Sequence, residues 1–176
     1  MPKKHRANSA RGTGAGKTGA KAWPLRQRPG FLIRRLHQIH VALFQQKCAG
    51  FEITPLQYSL LSALAVRGIA DQTTLATDVA LDRTTTTGAL KRLQSRNFIE
   101  RAISPDDRRA RMCRLTTAGK SLLAKIEASA RAAHRDTLAS LRPADRKSFV
   151  AMMQAIVAAN SDHDHPAEGL DQAERP

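Results

Sequence analysis

The 176-residue sequence is short of acidic side chains, aromatic rings and cysteine. Against 29 lysines and arginines stand only 15 aspartates and glutamates, a formal net charge of +14. Such a surplus on a small chain implies a polyanionic partner, either nucleic acid or an anionic membrane surface. One Trp and one Tyr argue against a protein that stacks the bases of a single strand on aromatic platforms. Cys48 and Cys113 are too few and too unpatterned for a disulfide framework or a zinc site. They read as small core residues, with a redox-sensing thiol as the alternative. No apolar run approaches the ~20 residues that span a bilayer. The basic N-terminus is not followed by a hydrophobic stretch, so no secretory signal is expected and the expected location is the cytoplasm.

The length suits one core, flanked here by two biased segments. Residues 1–29 carry Lys3, Lys4, Arg6, Arg11, Lys17, Lys21, Arg26 and Arg28 without one acidic residue, and are expected to form a disordered basic arm. Within it Gly14-Ala15-Gly16-Lys17-Thr18 has the ending of a phosphate-binding loop. The leading glycine is missing, since Arg11 stands there, and no strand precedes it. Residues 161–176 are expected to be a disordered tail, and its Asp162-His163-Asp164-His165 lacks the ordered frame of a metal site.

The most informative stretch is Asp82 to Asn97. Asp82 is placed to cap a helix on which Thr86, Leu90 and Leu93 share a buried stripe. The other face carries Arg83, Thr84, Thr87 and Lys91, groups that hydrogen-bond base edges or phosphates. Four successive threonines are a poor choice for helix propensity alone. Taken by itself, the stretch fits a solvated amphipathic helix as well as one that enters a DNA groove.

Its neighbours favour the groove. Thr54-Pro55 opens a helix with Leu56, Leu60, Leu61 and Leu64 on its buried face, and Thr73 to Leu81 forms a short helix before the Asp82 cap. Short helix, tight turn and cationic second helix is the order of a helix-turn-helix. Phe98 to Ile103 and Arg111 to Leu115 then read as the strands of a hairpin with Ser104-Pro105-Asp106-Asp107-Arg108-Arg109-Ala110 at its tip. Such a wing can place arginines in an adjacent minor groove, where the potential is most negative, and Asp107 can aim one of them.

Two further layers flank this module. A helix from Phe31 to about Ala49, stopped by Gly50, carries the seam Leu32, Leu36, Ile39 and Leu43 and, beside it, the stripe Ile33, His37, His40 and Phe44. Its histidines fit either an anionic aromatic ligand or a structural interface. A long helix from Thr116 continues Leu122, Ile126, Ala130, Ala133 and Leu138 toward Leu141, and Pro143 opens a last helix whose Met152 and Met153 read as adaptable core. Helices added to so small a winged module usually dimerise it.

Thr54-Pro55-Leu56-Gln57-Tyr58, Asp82-Arg83-Thr84-Thr85, Leu90-Lys91-Arg92-Leu93, Phe98-Ile99-Glu100-Arg101, Asp106-Asp107-Arg108-Arg109 and Leu115-Thr116-Thr117-Ala118-Gly119 together resemble the MarR family of winged helix-turn-helix transcription regulators. The resemblance covers about residues 30–160 and implies a mainly α fold with a small β-hairpin wing. Residues 53–115 would be the winged helix-turn-helix, and 30–50 with 116–160 a helical dimerisation layer. It further implies a homodimer on a pseudo-palindromic double-stranded operator, released by a small, often aromatic carboxylate or phenolic ligand. The segment Phe31 to Leu60, with Arg34-Arg35-Leu36-His37-Gln38-Ile39-His40, is similar to the subgroup that represses nicotinate catabolism, which implies a hydroxylated pyridine carboxylate.

The expected DNA contacts are Arg83, Thr84, Thr85, Thr87 and Lys91 in the major groove or on its phosphates, and Arg108, Arg109 and Arg111 on the backbone or minor groove. Gly88 departs from the larger, often basic residue that many relatives place there. Arg34, His37, His40, Thr54 and Tyr58 are the polar candidates for the ligand, where the first helix meets the winged module. No catalytic constellation, metal site or cofactor motif stands on an ordered element, so no enzyme is expected. The competing reading is a ligand-independent architectural DNA binder that holds DNA through charge alone.

Overall fold

The computed structural model describes residues 23–103 and 111–160. Residues 1–22 of the expected arm, the expected tail 161–176, the Gly14-Ala15-Gly16-Lys17-Thr18 and Asp162-His163-Asp164-His165 motifs, and the wing tip with Arg108 and Arg109 lie outside them. The arm was expected to run to residue 29, but Leu25–Gln27 form a 3-10 turn, Arg28 bonds back to the Trp23 carbonyl and Pro29 opens the first helix, so its last seven residues are ordered. Six helices and three short strands follow in the order α1 (Pro29–Lys47), α2 (Pro55–Arg67), β1 (Ile69–Asp71), α3 (Gln72–Asp78), α4 (Arg83–Ser95), β2 (Ile99–Ile103), β3 (Arg111–Leu115), α5 (Thr117–Thr137) and α6 (Pro143–Ala158).

Helix α1 begins two residues before Phe31, because Pro29 occupies the first turn, where a missing N–H costs nothing. It ends at Lys47 with Cys48 as its C-cap, and Gly50 falls in the 3-10 turn that follows. Phe44 is the residue of α1 that is buried in the core, and Cys48 is buried just beyond it. The stripe carrying His40 and Phe44 therefore faces α5. In the expected seam Leu32 and Ile39 are exposed and Leu36 and Leu43 half-buried, so that row is only partly covered in the single chain.

Thr54 caps α2 in a reciprocal box: its hydroxyl accepts from the Gln57 N–H while the Gln57 side chain accepts from the Thr54 N–H. Gln57 is thereby buried without an unsatisfied group, beside Leu60, Leu61 and Leu64, whereas Leu56 is only half-buried. These leucines meet Leu75, Ala89, Leu90, Leu93, Ile99, Cys113, Leu115, Ile126 and Ala130 in one core. Burial of each large side chain contributes about 1.5–3 kcal/mol. Both cysteines belong to this core, and burial pushes both thiols up, away from reactive thiolate.

The sheet is antiparallel in the order β1-β3-β2. Ile99 pairs with Leu115 and Ile103 with Arg111, while Ala70 pairs with Cys113 on the other side of β3. Strand β1 has no counterpart in the sequence reading: three residues, Ile-Ala-Asp, are too few to display an alternating pattern.

Helix α5 starts with Thr116 as N-cap to Gly119, and the Thr116 hydroxyl donates to the Asn97 carbonyl at 2.7 Å. Gly119 packs so tightly on the residue preceding β2 that a Cβ there would collide with the Phe98 carbonyl oxygen. The helix ends at Thr137, so Leu138 is its C-cap and Leu141 lies in the turn to α6, short of the continuous stripe expected. Helix α6 has no buried residue; Met152, Ile156 and Val157 are at least 58% exposed, and Met153 is exposed too. The methionines are thus not core in the single chain.

Candidate DNA-reading face and effector site

Helix α3 ends at Asp78, with Val79 as C-cap, rather than running to Leu81. Ala80 takes a left-handed conformation, φ 52°, which reverses the chain and brings Asp82 to the start of α4. The Asp82 carboxylate accepts from the Thr85 N–H at 2.7 Å, and the hydrogen bonds from Thr85 hold its pKa below the ordinary value. Asp71 caps α3 the same way, bonded to Thr73 and Thr74, with its pKa lowered chiefly by Thr74. The ends of α2 and α3 are braced by a two-pronged bond from Arg67 to Asp78, and their exposure keeps its contribution small. The starts of α3 and α4 are joined by the Thr87 hydroxyl, which donates to Gln72 Oε1 at 3.0 Å.

Helix α4 buries Thr86, Ala89, Leu90 and Leu93 and turns Arg83, Thr84, Thr85 and Lys91 to solvent. Four of the five residues expected in the major groove are therefore exposed on one capped helix. Thr87 is half-buried, and its proton is committed to Gln72, a partner that no sequence pattern singled out. A Cβ on Gly88 would meet only the end of the Arg92 side chain, at 3.7 Å. No internal packing requires this glycine. Arg111 is exposed at the tip end of the wing strands, opposite Ile103. Arg114 is paired with Glu100 across the sheet at 2.7 Å.

The five expected effector residues are not brought together equally. Arg34 and His37 are exposed on the outer part of α1, and Thr54 is engaged in the α2 capping box. His40 and Tyr58 do converge on the buried Phe44: ring centroids lie 6.3 Å apart for His40 and Phe44, and 5.5 Å for Phe44 and Tyr58. Each takes its partner from α5. The Tyr58 hydroxyl donates to Glu127 at 2.9 Å, and Glu127 is also bonded by Arg131. His40 Nδ1 lies 2.9 Å from Thr137 Oγ1, and its ring stacks on His134 with centroids 4.7 Å apart.

Burial, then His134 and His37, lower the His40 pKa; burial and the bond to Glu127 raise that of Tyr58. Glu127 also borders a cleft of about 420 Å³ against α2, and His134 one of about 790 Å³ between α5 and α6. None of the five expected residues lines either cleft. The α5 partners were missed because nothing in local spacing ties residues 127–137 to positions 69 to 97 residues earlier. The only local signal is the i, i+4 pair Glu127 and Arg131. Among the described residues no three potential ligands gather into a metal site, and no helix is long and apolar enough to cross a membrane.

Two capped helices about a left-handed turn, an exposed hydroxyl and cationic face on the second, and an antiparallel hairpin after it define a winged helix-turn-helix. The family model described as the MarR family matches residues 53–110. The HTH-type transcriptional repressor NicR of Pseudomonas putida is 30% identical over 128 residues, 73% of this chain and 81% of that protein. The chain belongs to the MarR family of transcription regulators. Its backbone is similar to a probable transcriptional regulator from Pseudomonas aeruginosa, with TM-score 0.71, 31% identity, and coverage of 76% of this chain and 99% of that one. It is also similar to Bordetella bronchiseptica BpsR, whose structure is described in terms of regulation of DNA binding by 6-hydroxynicotinic acid. There the TM-score is 0.72 and the identity 29%, over 77% of this chain and 96% of that one.

Proposed function

We propose that this protein is a homodimeric repressor that binds a pseudo-palindromic operator and leaves it when a small aromatic carboxylate binds, with residues 30–160 as the regulatory unit. The observation that carries the DNA side of this reading is the exposed face of α4, where Arg83, Thr84, Thr85 and Lys91 project from a helix whose opposite face is buried. That face fits a major groove, whose base edges and flanking phosphates accept from such groups. Thr87 contributes its oxygen as an acceptor, and Arg108, Arg109 and Arg111 extend the contact from the wing.

The effector is placed between α1, α2 and α5, on the row His40, Phe44 and Tyr58, with Arg34 and His37 at its outer edge and Thr54 at its base. An apolar ring flanked by polar groups suits an aromatic acid, and the likeness to BpsR favours a hydroxylated pyridine carboxylate. A ligand seated between the helical layer and the winged module biases the spacing of the two reading helices, which is how it would release DNA.

The test is selection of duplexes from a random pool, then fluorescence anisotropy of the enriched sequence with and without 6-hydroxynicotinate and hydroxybenzoates. An enriched inverted repeat and its release by an acid are expected. Equal affinity for all duplexes, unaffected by any acid, would establish the architectural alternative instead.

A further inference from the structure

The hydrogen bonds around His40 fix which of its nitrogens carries the proton. Its Nδ1 lies 2.9 Å from Thr137 Oγ1, and the Thr137 hydroxyl donates to the Ala133 carbonyl at 2.8 Å. A hydroxyl has one proton and a carbonyl only accepts, so the proton of Thr137 is spent on Ala133. Thr137 meets His40 as an acceptor, and the hydrogen between them belongs to His40 Nδ1. A neutral imidazole carries one N–H, so Nε2 holds a lone pair. Among the described residues that nitrogen has no hydrogen-bond partner. The ring is held in this sense by Thr137 on its edge and by His134 stacked on its face.

Tyr58 is more fully engaged: its hydroxyl donates to Glu127, and Ser62 bonds to the phenol group as well. Both rings pack against the fully buried Phe44.

We propose that Thr137 is a specificity-determining positioning residue: it locks His40 as the Nδ1–H tautomer, so that an effector must offer a ring hydroxyl or ring N–H to Nε2. The inference rests on the effector site proposed above. It adds a requirement which that reading does not contain, namely that a plain aromatic carboxylate is discriminated against at His40. A hydrogen bond to a half-buried acceptor corresponds to roughly a tenfold difference in affinity.

The experiment uses the full chain at about pH 8, where His40 is neutral. Calorimetry compares 6-hydroxynicotinate, 3-hydroxybenzoate and 4-hydroxybenzoate with nicotinate and benzoate, for the wild type, Thr137→Ser and Thr137→Val. Long-range ¹H–¹⁵N spectra read the His40 tautomer in each protein. The wild type should show the Nδ1–H form and bind at least one hydroxylated acid about tenfold more tightly than its parent. Thr137→Ser, which keeps the hydroxyl, should preserve both properties. Thr137→Val should shift His40 toward the Nε2–H form and cut the discrimination to about twofold or less. An Nε2–H tautomer in the wild type overturns the proposal, as does full discrimination in Thr137→Val. Equal binding of hydroxylated and parent acids overturns it while leaving the effector site intact, whereas binding of no acid removes both.

Discussion

His40 and His134 stack with their ring centroids 4.7 Å apart and their planes 29° apart, one from α1 and the other from α5. Two imidazolium rings at that separation repel, and burial adds to the penalty on charging His40. Its folded pKa lies below the ordinary histidine value of 6.5, the causes being burial first, then His134 and His37. A histidine whose folded pKa is lowered binds fewer protons folded than unfolded. Its contribution is fully present above about pH 6.5 and is lost as the pH falls through that value toward the folded pKa. Thermal unfolding followed between about pH 8 and 5 should show a falling midpoint in this window. Replacement of His134 by Ala should flatten that fall.

Gly119→Ala should destabilise the protein by about 1–3 kcal/mol, because the added methyl meets the backbone carbonyl of Phe98 and has no flexible neighbour to push aside. Urea unfolding would show the lower midpoint at an unchanged slope. A midpoint equal to wild type would mean that α5 can slide away from β2 without cost.

Gly88→Ala should have the opposite sign. The new Cβ meets only Arg92 Nη1 at 3.7 Å, so the helix gains about 1 kcal/mol of propensity with nothing crowded. A stabilised variant with weakened operator binding would place DNA, rather than protein, against this glycine.

Thr86 is fully buried, and its hydroxyl has no hydrogen-bond partner among the described residues. Thr86→Val keeps the shape and removes the unsatisfied group, so stability should be unchanged or higher by about 1 kcal/mol. Leu90→Ala, one turn further along the same face, should cost about 2–5 kcal/mol. Calorimetric unfolding of the two variants would separate them clearly.

Lys91→Ala should weaken binding to all duplexes alike and reduce the slope of log affinity against log salt by about one, as loss of a phosphate contact does. Arg83→Ala, at the tip of α4, should instead cost about 1–3 kcal/mol on the selected operator and relax its sequence preference. Anisotropy titrations at several salt concentrations read both effects.

The parts of this molecule that were legible in the sequence are those whose causes are local. Asp82 and Thr54 announced helix starts because a capping side chain acts within three residues of itself, and both caps are made. The stripe Thr86, Leu90, Leu93 is buried as its spacing required, and the wing strands Ile99–Ile103 and Arg111–Leu115 pair in register. What was obscure depends on distant chain. On α1 two apolar stripes run side by side, and only the tertiary fold decides that Phe44 is buried while Leu32 and Ile39 are not. Met152 and Met153 have the composition of core and lie exposed. Of the proposed effector site, residue type singled out His40 and Tyr58, whereas Glu127, His134 and Thr137 are matched to them only by the packing of α5.

The uncovered apolar row on α6, Met152, Ile156 and Val157, also bears on gene dosage. If that row closes only against a second copy, the occupying species is a pair, and at concentrations below the pairing constant its amount follows the square of the chain's own abundance. Halving expression would then cut the number of pairs about fourfold. Control of this protein's synthesis would be amplified at its operator before any small molecule acts.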